Sequence, residues 1–163
     1  MIPKIFHHIW LGDKTLPKQE EEFIDSFKKH YPDWEFILWD NDRIKELKMP
    51  SNCQEAFDIV PNWEKQTPCY SCQSDVIRWL AVYEYGGIYA DTDVECFKSI
   101  EEFITEDTDL LAIKPHSGNW LASAFFGASK NFKLLKNMIE DLKPRTSPHN
   151  GPLFLTRHLY ELL

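Results

Sequence analysis

Residues 74–95 read S-D-V-I-R-W-L-A-V-Y-E-Y-G-G-I-Y-A-D-T-D-V-E, and this stretch decides the reading of the chain. Its pattern predicts a helix, a glycine stop, a short buried strand and two carboxylates. Asp75 and Arg78 stand three apart, so a helix brings them to one face. Ile77, Leu80 and Ala81 form an apolar stripe on another face. Gly86 and Gly87 then supply the left-handed backbone that other residues resist at a helix end. Ile88, Tyr89 and Ala90 suit a short strand that runs into Asp91-Thr92-Asp93. Aspartates two apart at a strand end repel each other, and a hard divalent cation relieves the repulsion. A solvated acidic turn is the plainer explanation for a bare D-x-D. The helix, double glycine and apolar run upstream favour a site for Mg²⁺ or Mn²⁺.

Outward from this stretch, length and composition set bounds. The 163 residues fit one domain, residues 1–163, large enough to bury a core. A hydrophobic content of 43% excludes a disordered chain. No apolar run is long enough to span a bilayer. Met1-Ile2-Pro3-Lys4 lacks the apolar core of a signal peptide, so the expected location is cytoplasmic, at most peripheral to the inner face of the membrane. A formal net charge of −8 argues against nucleic acid as a partner and provides no basic patch for anionic lipid. Aromatic residues, including six Trp, serve either as core or as stacking platforms for sugars and bases. Cysteines stand at 53, 69, 72 and 96. The C-x-x-C at 69–72 has no second pair to complete a zinc site, so all four are expected to be reduced and structural.

Residues 5–11, I-F-H-H-I-W-L, predict a buried, central first strand. His7 and His8 alternate faces and are expected in hydrogen-bonded core positions, not as metal ligands. Residues 17–30 predict an amphipathic helix with Phe23, Ile24 and Phe27 inward, and residues 34–39 a second strand. That order suggests a β-α-β unit. Short helices are expected at 43–47, 54–59 and 99–104, strands at 109–113 and 121–128, an amphipathic helix at 131–142 and a last helix at 153–163. The small residues of 121–128 allow close approach, so Asn119, Ser123 and Gly127 are candidates for a sugar pocket; tight sheet packing explains them equally.

S-D-x-x-R placed eight positions before G-G-x-Y-x-D-x-D resembles the sugar-nucleotide-binding core of the DXD-containing glycosyltransferases, family 32 in particular, and the glucosylating domain of large clostridial toxins. The opening P-K-I-F-H-H-I-W-L-G is similar to that family's first strand, and H-N-G-P-L-F-L-T at 149–156 to a loop near its donor and acceptor sugars. The resemblance implies an α/β, GT-A-like (Rossmann-like) fold with a mixed, mainly parallel sheet flanked by helices. It implies a metal-dependent hexosyltransferase that uses a UDP- or GDP-linked nucleotide-sugar donor and a glycan, lipid-linked glycan or other hydroxyl acceptor. Retention at the anomeric carbon and a setting in bacterial surface polysaccharide synthesis belong to the same expectation.

By the same resemblance, Asp93 holds Mn²⁺ or Mg²⁺, with Asp91 reaching it partly through water and accepting from ribose or sugar hydroxyls. Arg78 faces a diphosphate oxygen or a sugar hydroxyl, and Asp75 accepts from the sugar while steadying Arg78. Tyr89 stands near the diphosphate. Trp10 either stacks on the base or is a core tryptophan at a strand end, and Asp40 lies close to the base or ribose. His149 is either an acceptor- or phosphate-side group or a turn histidine. Family members continue into a histidine-containing C-terminal segment, and the sequence given ends at Leu163 without it. The expectation is a C-terminally truncated form or another residue in that role. Two alternatives follow. One is a non-catalytic module that binds a sugar nucleotide. The other is a haloacid-dehalogenase-type phosphatase, which needs Thr or Val where Glu95 stands.

Overall fold

The fold rests on a strand, β1 (Ile5–Ile9), whose alternate side chains enter two different cores. Phe6 joins Ile2, Phe27, Tyr31, Trp34, Ile88 and Ala90 on one face of the sheet. Ile9 joins Ile37, Trp39, Tyr89 and Phe126 on the other. This computed structural model describes residues 1–58, 69–116, 118–144 and 150–161. After β1 come α1 (Lys18–His30), β2 (Glu35–Trp39), α2 (Ser51–Phe57), α3 (Tyr70–Tyr85), β3 (Gly87–Ala90), β4 (Leu110–Ala112), β5 (Phe125–Ala128), α4 (Lys133–Asp141) and α5 (Pro152–Tyr160). Short 3₁₀ turns occupy Arg43–Glu46 and Glu101–Phe103.

The sheet order is β2-β1-β3-β5-β4. β1 pairs in parallel with β2 and β3, while β5 runs antiparallel to both β3 and β4. This is the expected mixed, mainly parallel α/β sheet. β1 is interior as expected, but β3 takes the centre. α1 covers the face with Phe6, and α2 to α5 contribute to the opposite core. α3 is buried more completely than its stripe of three apolar residues predicts, with every residue from Asp75 to Val82 enclosed. It packs against α2, α4 and the sheet, and only its first turn opens to solvent fully.

The predicted boundaries hold to within a few residues, with instructive exceptions. β5 begins only at Phe125: the Ala124 carbonyl still pairs with the residue that follows β3, and one residue earlier the Ser123 carbonyl goes to a side chain instead. Ala124 O accepts from Asp91 N at 2.8 Å, and Ser123 O accepts from Arg78 Nη1 at 2.8 Å. α4 starts at Lys133 because Asn131 is left-handed, with φ 59°. Ile59, and the last two residues of the helix expected at 153–163, lie outside the described residues. Cys69 and Cys72 form a disulfide, which corrects the expectation of reduced thiols there. The first turn of α3 carries them to a Cα separation of 5.2 Å, within bridging range. Cys53 and Cys96 are free and buried. Among the described residues no helix is long and apolar enough to cross a membrane.

The α3–β3 junction depends on its glycines. Gly86 closes the helix by donating to Val82 O at 2.8 Å, and Gly87 follows at φ +101°. A Cβ on Gly87 would lie 2.5 Å from the Ile5 carbonyl oxygen, so both its dihedral and its neighbour demand glycine. Gly87→Ala is expected to cost about 2 kcal/mol or more, read as a lowered urea midpoint with an unchanged m-value.

Both histidines are core groups, as expected. His7 Nε2 donates to Gly86 O at 2.7 Å while its Nδ1 accepts from Trp39 Nε1 at 3.1 Å. His8 Nδ1 donates to Ala90 O at 2.9 Å. Burial lowers each imidazole from 6.5 to about 4. Between those values the unfolded chain binds protons that the native state refuses. Stability is therefore whole above pH 6.5 and falls as the pH drops toward 4, by up to ~3 kcal/mol per histidine. Unfolding free energies measured across this window should fall less steeply in His8→Phe than in the wild type.

Candidate functional site

α3 ends at Gly86 and leads directly into β3, so the start of the helix lies over the far end of the strand. β1 is parallel to β3 and delivers its own carboxyl end to the same place. The result is a cleft of about 570 Å³ at the carboxyl ends of the parallel strands. After β1, residues from Trp10 to Lys14 line it; Tyr70, Ser71, Ser74 and Arg78 line it from α3, and Tyr89, Asp91, Thr92 and Asp93 from β3.

Arg78 is the centre of the polar network and is only 6% exposed. The helical i, i+3 spacing sets its Nη2 at 3.3 Å from Asp75 Oδ1. Nη1 reaches Asp91 Oδ1 at 3.4 Å and donates to Ser123 O at 2.8 Å. Nε donates to Ser74 O at 3.3 Å. The guanidinium carbon lies 4.7 Å from the centre of the Tyr89 ring, and the Tyr89 hydroxyl donates to Asp91 Oδ1. Burial alone would pull the guanidinium down; Tyr89, Asp91, Asp75 and Asp93 together hold it above its ordinary value. Burial drives the Tyr89 phenol well above its ordinary value, Arg78 opposes this, and Asp91 adds to it. Tyr89 is thus a fixed donor to Asp91.

Asp75 is 3% exposed, and its carboxylate packs against Gly151, where a Cβ would lie 3.1 Å from Oδ1. Trp79 Nε1 donates to Asn150 O at 2.8 Å and seats the same segment. The N-G-P of the 149–156 motif therefore meets the S-D-x-x-R helix at Asp75. His149 lies outside the described residues.

Asp93 is exposed in the cleft, and Asp91 is 30% exposed. Asp91 has one oxygen committed to Tyr89 and Arg78. Hard carboxylate oxygens at a cleft wall fit Mn²⁺ or Mg²⁺, with Asp93 as the more available ligand. No group of three or more His, Cys, Asp or Glu suited to a metal occurs among the described residues. Two carboxylates fit a cation that takes its remaining oxygens from bound phosphate or water.

Trp10 also lines the cleft. Its indole Nε1 donates to Lys14 O at 2.7 Å and its backbone N to Trp39 O at 2.9 Å. The turn beyond it is fixed by Gly12 N donating to Asn41 Oδ1 and Asn41 Nδ2 donating to Gly12 O, both at 3.1 Å.

The structure thus brings Trp10, Asp75, Arg78, Tyr89, Asp91 and Asp93 together. Asn119 does not line this cleft but borders a separate hollow of about 130 Å³. Asp40 does not line it either: its Oδ1 accepts from Asp42 N at 3.0 Å and Arg43 N at 2.8 Å at the entrance to a 3₁₀ turn. Gly127 lies in β5, where a Cβ would come within 2.8 Å of Ile88 Cγ1, so sheet packing accounts for it. Tyr70, Ser74 and Gly12 were not singled out from the sequence. Gly12 has φ +104°, and a Cβ there would lie 2.7 Å from Tyr70 Cζ, so ring and glycine form one wall. The signal for Ser74 was its place in S-D-x-x-R.

The family described as "Glycosyltransferase sugar-binding region containing DXD motif" matches residues 17–111. The chain belongs to this family. Membership sets aside the phosphatase alternative. Inositol phosphoceramide mannosyltransferase 1 of Schizosaccharomyces pombe (strain 972) is 26% identical over 167 residues, covering 95% of this chain and 50% of its own length. Inositol phosphoceramide mannosyltransferase 3 of the same yeast is 27% identical, covering 95% and 44%. Among solved structures, the PaToxG glycosyltransferase superposes with a TM-score of 0.69 at 18% identity, covering 99% of this chain and 70% of that chain, which shows a shared GT-A-like fold. The chain spans about half the length of these curated relatives.

Removing the guanidinium takes a cationic partner from the buried carboxylate of Asp75. Arg78→Met should destabilise the fold by about 3 kcal/mol or more, measured by chemical denaturation. Arg78→Lys keeps the charge but loses the fork and should lose less.

Proposed function

We propose that the cleft binds a nucleotide-sugar donor and transfers its hexose to a hydroxyl acceptor with retention. The observation that carries this reading is the convergence of Arg78, Tyr89 and the D-x-D carboxylates on one cleft within a family defined by sugar binding. Trp10 and Tyr70 offer faces for the base. The first turn of α3 points its positive dipole end and the hydroxyls of Ser71 and Ser74 toward the phosphates. Asp75 and Arg78 hold one another and present donors and acceptors to sugar hydroxyls. Asp91, fixed by Tyr89 and Arg78, orients the ribose or the sugar.

Asp93, seconded by Asp91, would hold Mn²⁺ or Mg²⁺, which supplies neutralisation of the leaving diphosphate. The donor is proposed as UDP- or GDP-linked. Surface polysaccharide and inositol lipids both offer acceptor hydroxyls. The names of the yeast relatives favour mannose as the sugar and a lipid-borne inositol group as the acceptor.

The test is release of nucleoside diphosphate from UDP- and GDP-hexoses with and without Mn²⁺. One donor should turn over, with loss on chelation and a fall of about a hundredfold or more in Asp93→Ala. Because the chain covers half of its relatives, a second outcome has meaning: donor binding that needs metal but yields no release identifies a binding module. Neither binding nor release overturns the sugar-nucleotide reading.

A further inference from the structure

The hollow of about 130 Å³ beside α5 is lined by Lys114, Asn119, Trp120, Thr156 and Tyr160, among others. None of these belongs to the donor cleft. Trp120 is 45% exposed and Tyr160 66%. Large aromatic side chains left open to water at the rim of one hollow are costly unless something covers them.

Trp120 is held in this posture. Its indole lies over Gly118, which has φ +123°, and a Cβ there would come within 2.9 Å of Trp120 Cζ2. The following residue is bolted to α5, with Leu121 N donating to Thr156 Oγ1 at 2.7 Å and that hydroxyl donating to Pro152 O at 2.7 Å. The hollow therefore has an aromatic face at its rim, with an amide, an ammonium and a phenol around it. Asn119 and Lys114 are both exposed, and neither makes a side-chain hydrogen bond or ion pair among the described residues. An apolar ring face with neutral and cationic donors at its edge matches a polyhydroxylated six-membered ring, whose C–H face stacks and whose hydroxyls point outward.

Position gives the hollow its role. Trp120 stands three residues before Ser123, so their Cα atoms lie within about 11 Å. Ser123 O accepts from Arg78, and Ala124 O accepts from Asp91 N. The same loop thus carries the hollow at one end and grips the donor site at the other.

We infer that this hollow is the acceptor subsite, taking the ring of a hexose or a cyclitol stacked on Trp120 and hydrogen-bonded by Asn119, Lys114 and Tyr160. Its role as the acceptor side rests on the transferase reading above; its binding of a polyol ring does not.

The test is a titration of ¹⁵N-labelled protein, in metal-free buffer, with methyl α-D-mannopyranoside and separately with myo-inositol at millimolar concentrations. The Trp120 indole N–H and the Asn119 amide should shift and saturate with at least one probe. The dissociation constant should rise at least tenfold in Trp120→Ala and be partly restored in Trp120→Phe, while the spectra of both variants report that they are folded. No shift at Trp120 with either probe, shifts confined to Trp10, or binding that survives Trp120→Ala overturns the proposal. Nucleoside diphosphate release by the wild type is measured in parallel. Its absence together with saturable shifts at Trp120 removes the transferase reading alone and leaves the ring site standing.

Discussion

One buried cation organises the site. The guanidinium of Arg78 joins segments that are far apart in sequence: its own helix through Ser74 and Asp75, the end of β3 through Asp91, and the approach to β5 through Ser123. Placing an arginine at 6% exposure is costly unless its donors are matched, and here every branch of the fork has a partner. The geometry is then over-determined. The Tyr89 ring beneath it and the Tyr89 hydroxyl on Asp91 leave that carboxylate a single orientation. A site that must present oxygens to a ligand without reorganising benefits from such fixation.

The same economy runs through the backbone. Gly86 and Gly87 allow the long buried helix to end and the central strand to begin without an intervening loop. The helix can then be buried through its middle, from Asp75 to Val82, and still deliver its first turn to the carboxyl end of the sheet. His7 belongs to this arrangement, since its Nε2 donates to the Gly86 carbonyl that the sharp reversal leaves exposed to the core. A neutral imidazole with one donor and one acceptor bridges Gly86 O and Trp39 Nε1, which an apolar residue could not do.

Much of this was legible in the sequence, because the decisive features are local. The i, i+3 pair of Asp75 and Arg78, the double glycine, and the short strand running into D-x-D are all read within a stretch of 22 residues. Their convergence with Trp10 follows once β1 and β3 are parallel neighbours. What was not legible depends on tertiary packing. Nothing local says that Ser123 gives its carbonyl to Arg78, or that Ala124 gives its own to Asp91. Nothing local says that Tyr70 packs on Gly12, since α1, β2 and α2 lie between the two in sequence. Small residues near β5 suggested a sugar pocket, but Gly127 is small because Ile88 and Gly87 crowd it. The disulfide was missed because spacing suits a C-x-x-C equally to reduced thiols, a metal or a bridge, and only the turn at Cys69 decides among them.

Charge balance argues for what the cleft is built to receive. Asp75, Asp91 and Asp93 converge on the single guanidinium of Arg78, so the site carries surplus negative charge. The surplus is not spread evenly. Asp75 is buried and paired, Asp91 is partly exposed and shared, and Asp93 faces the cleft. A diphosphate approaching this end of the sheet would be repelled by Asp93 unless a cation accompanied it. The first residues of α3 and the fork of Arg78 line the same cleft, and the start of a helix carries positive partial charge. A cation at Asp93 with phosphate oxygens between it and the helix start alternates the charges across the cleft, and a bare diphosphate does not. The exposure of Asp93, the second D-x-D aspartate, suits it to such a cation, and the partial burial of Asp91, the first, follows from the arginine with which it pairs.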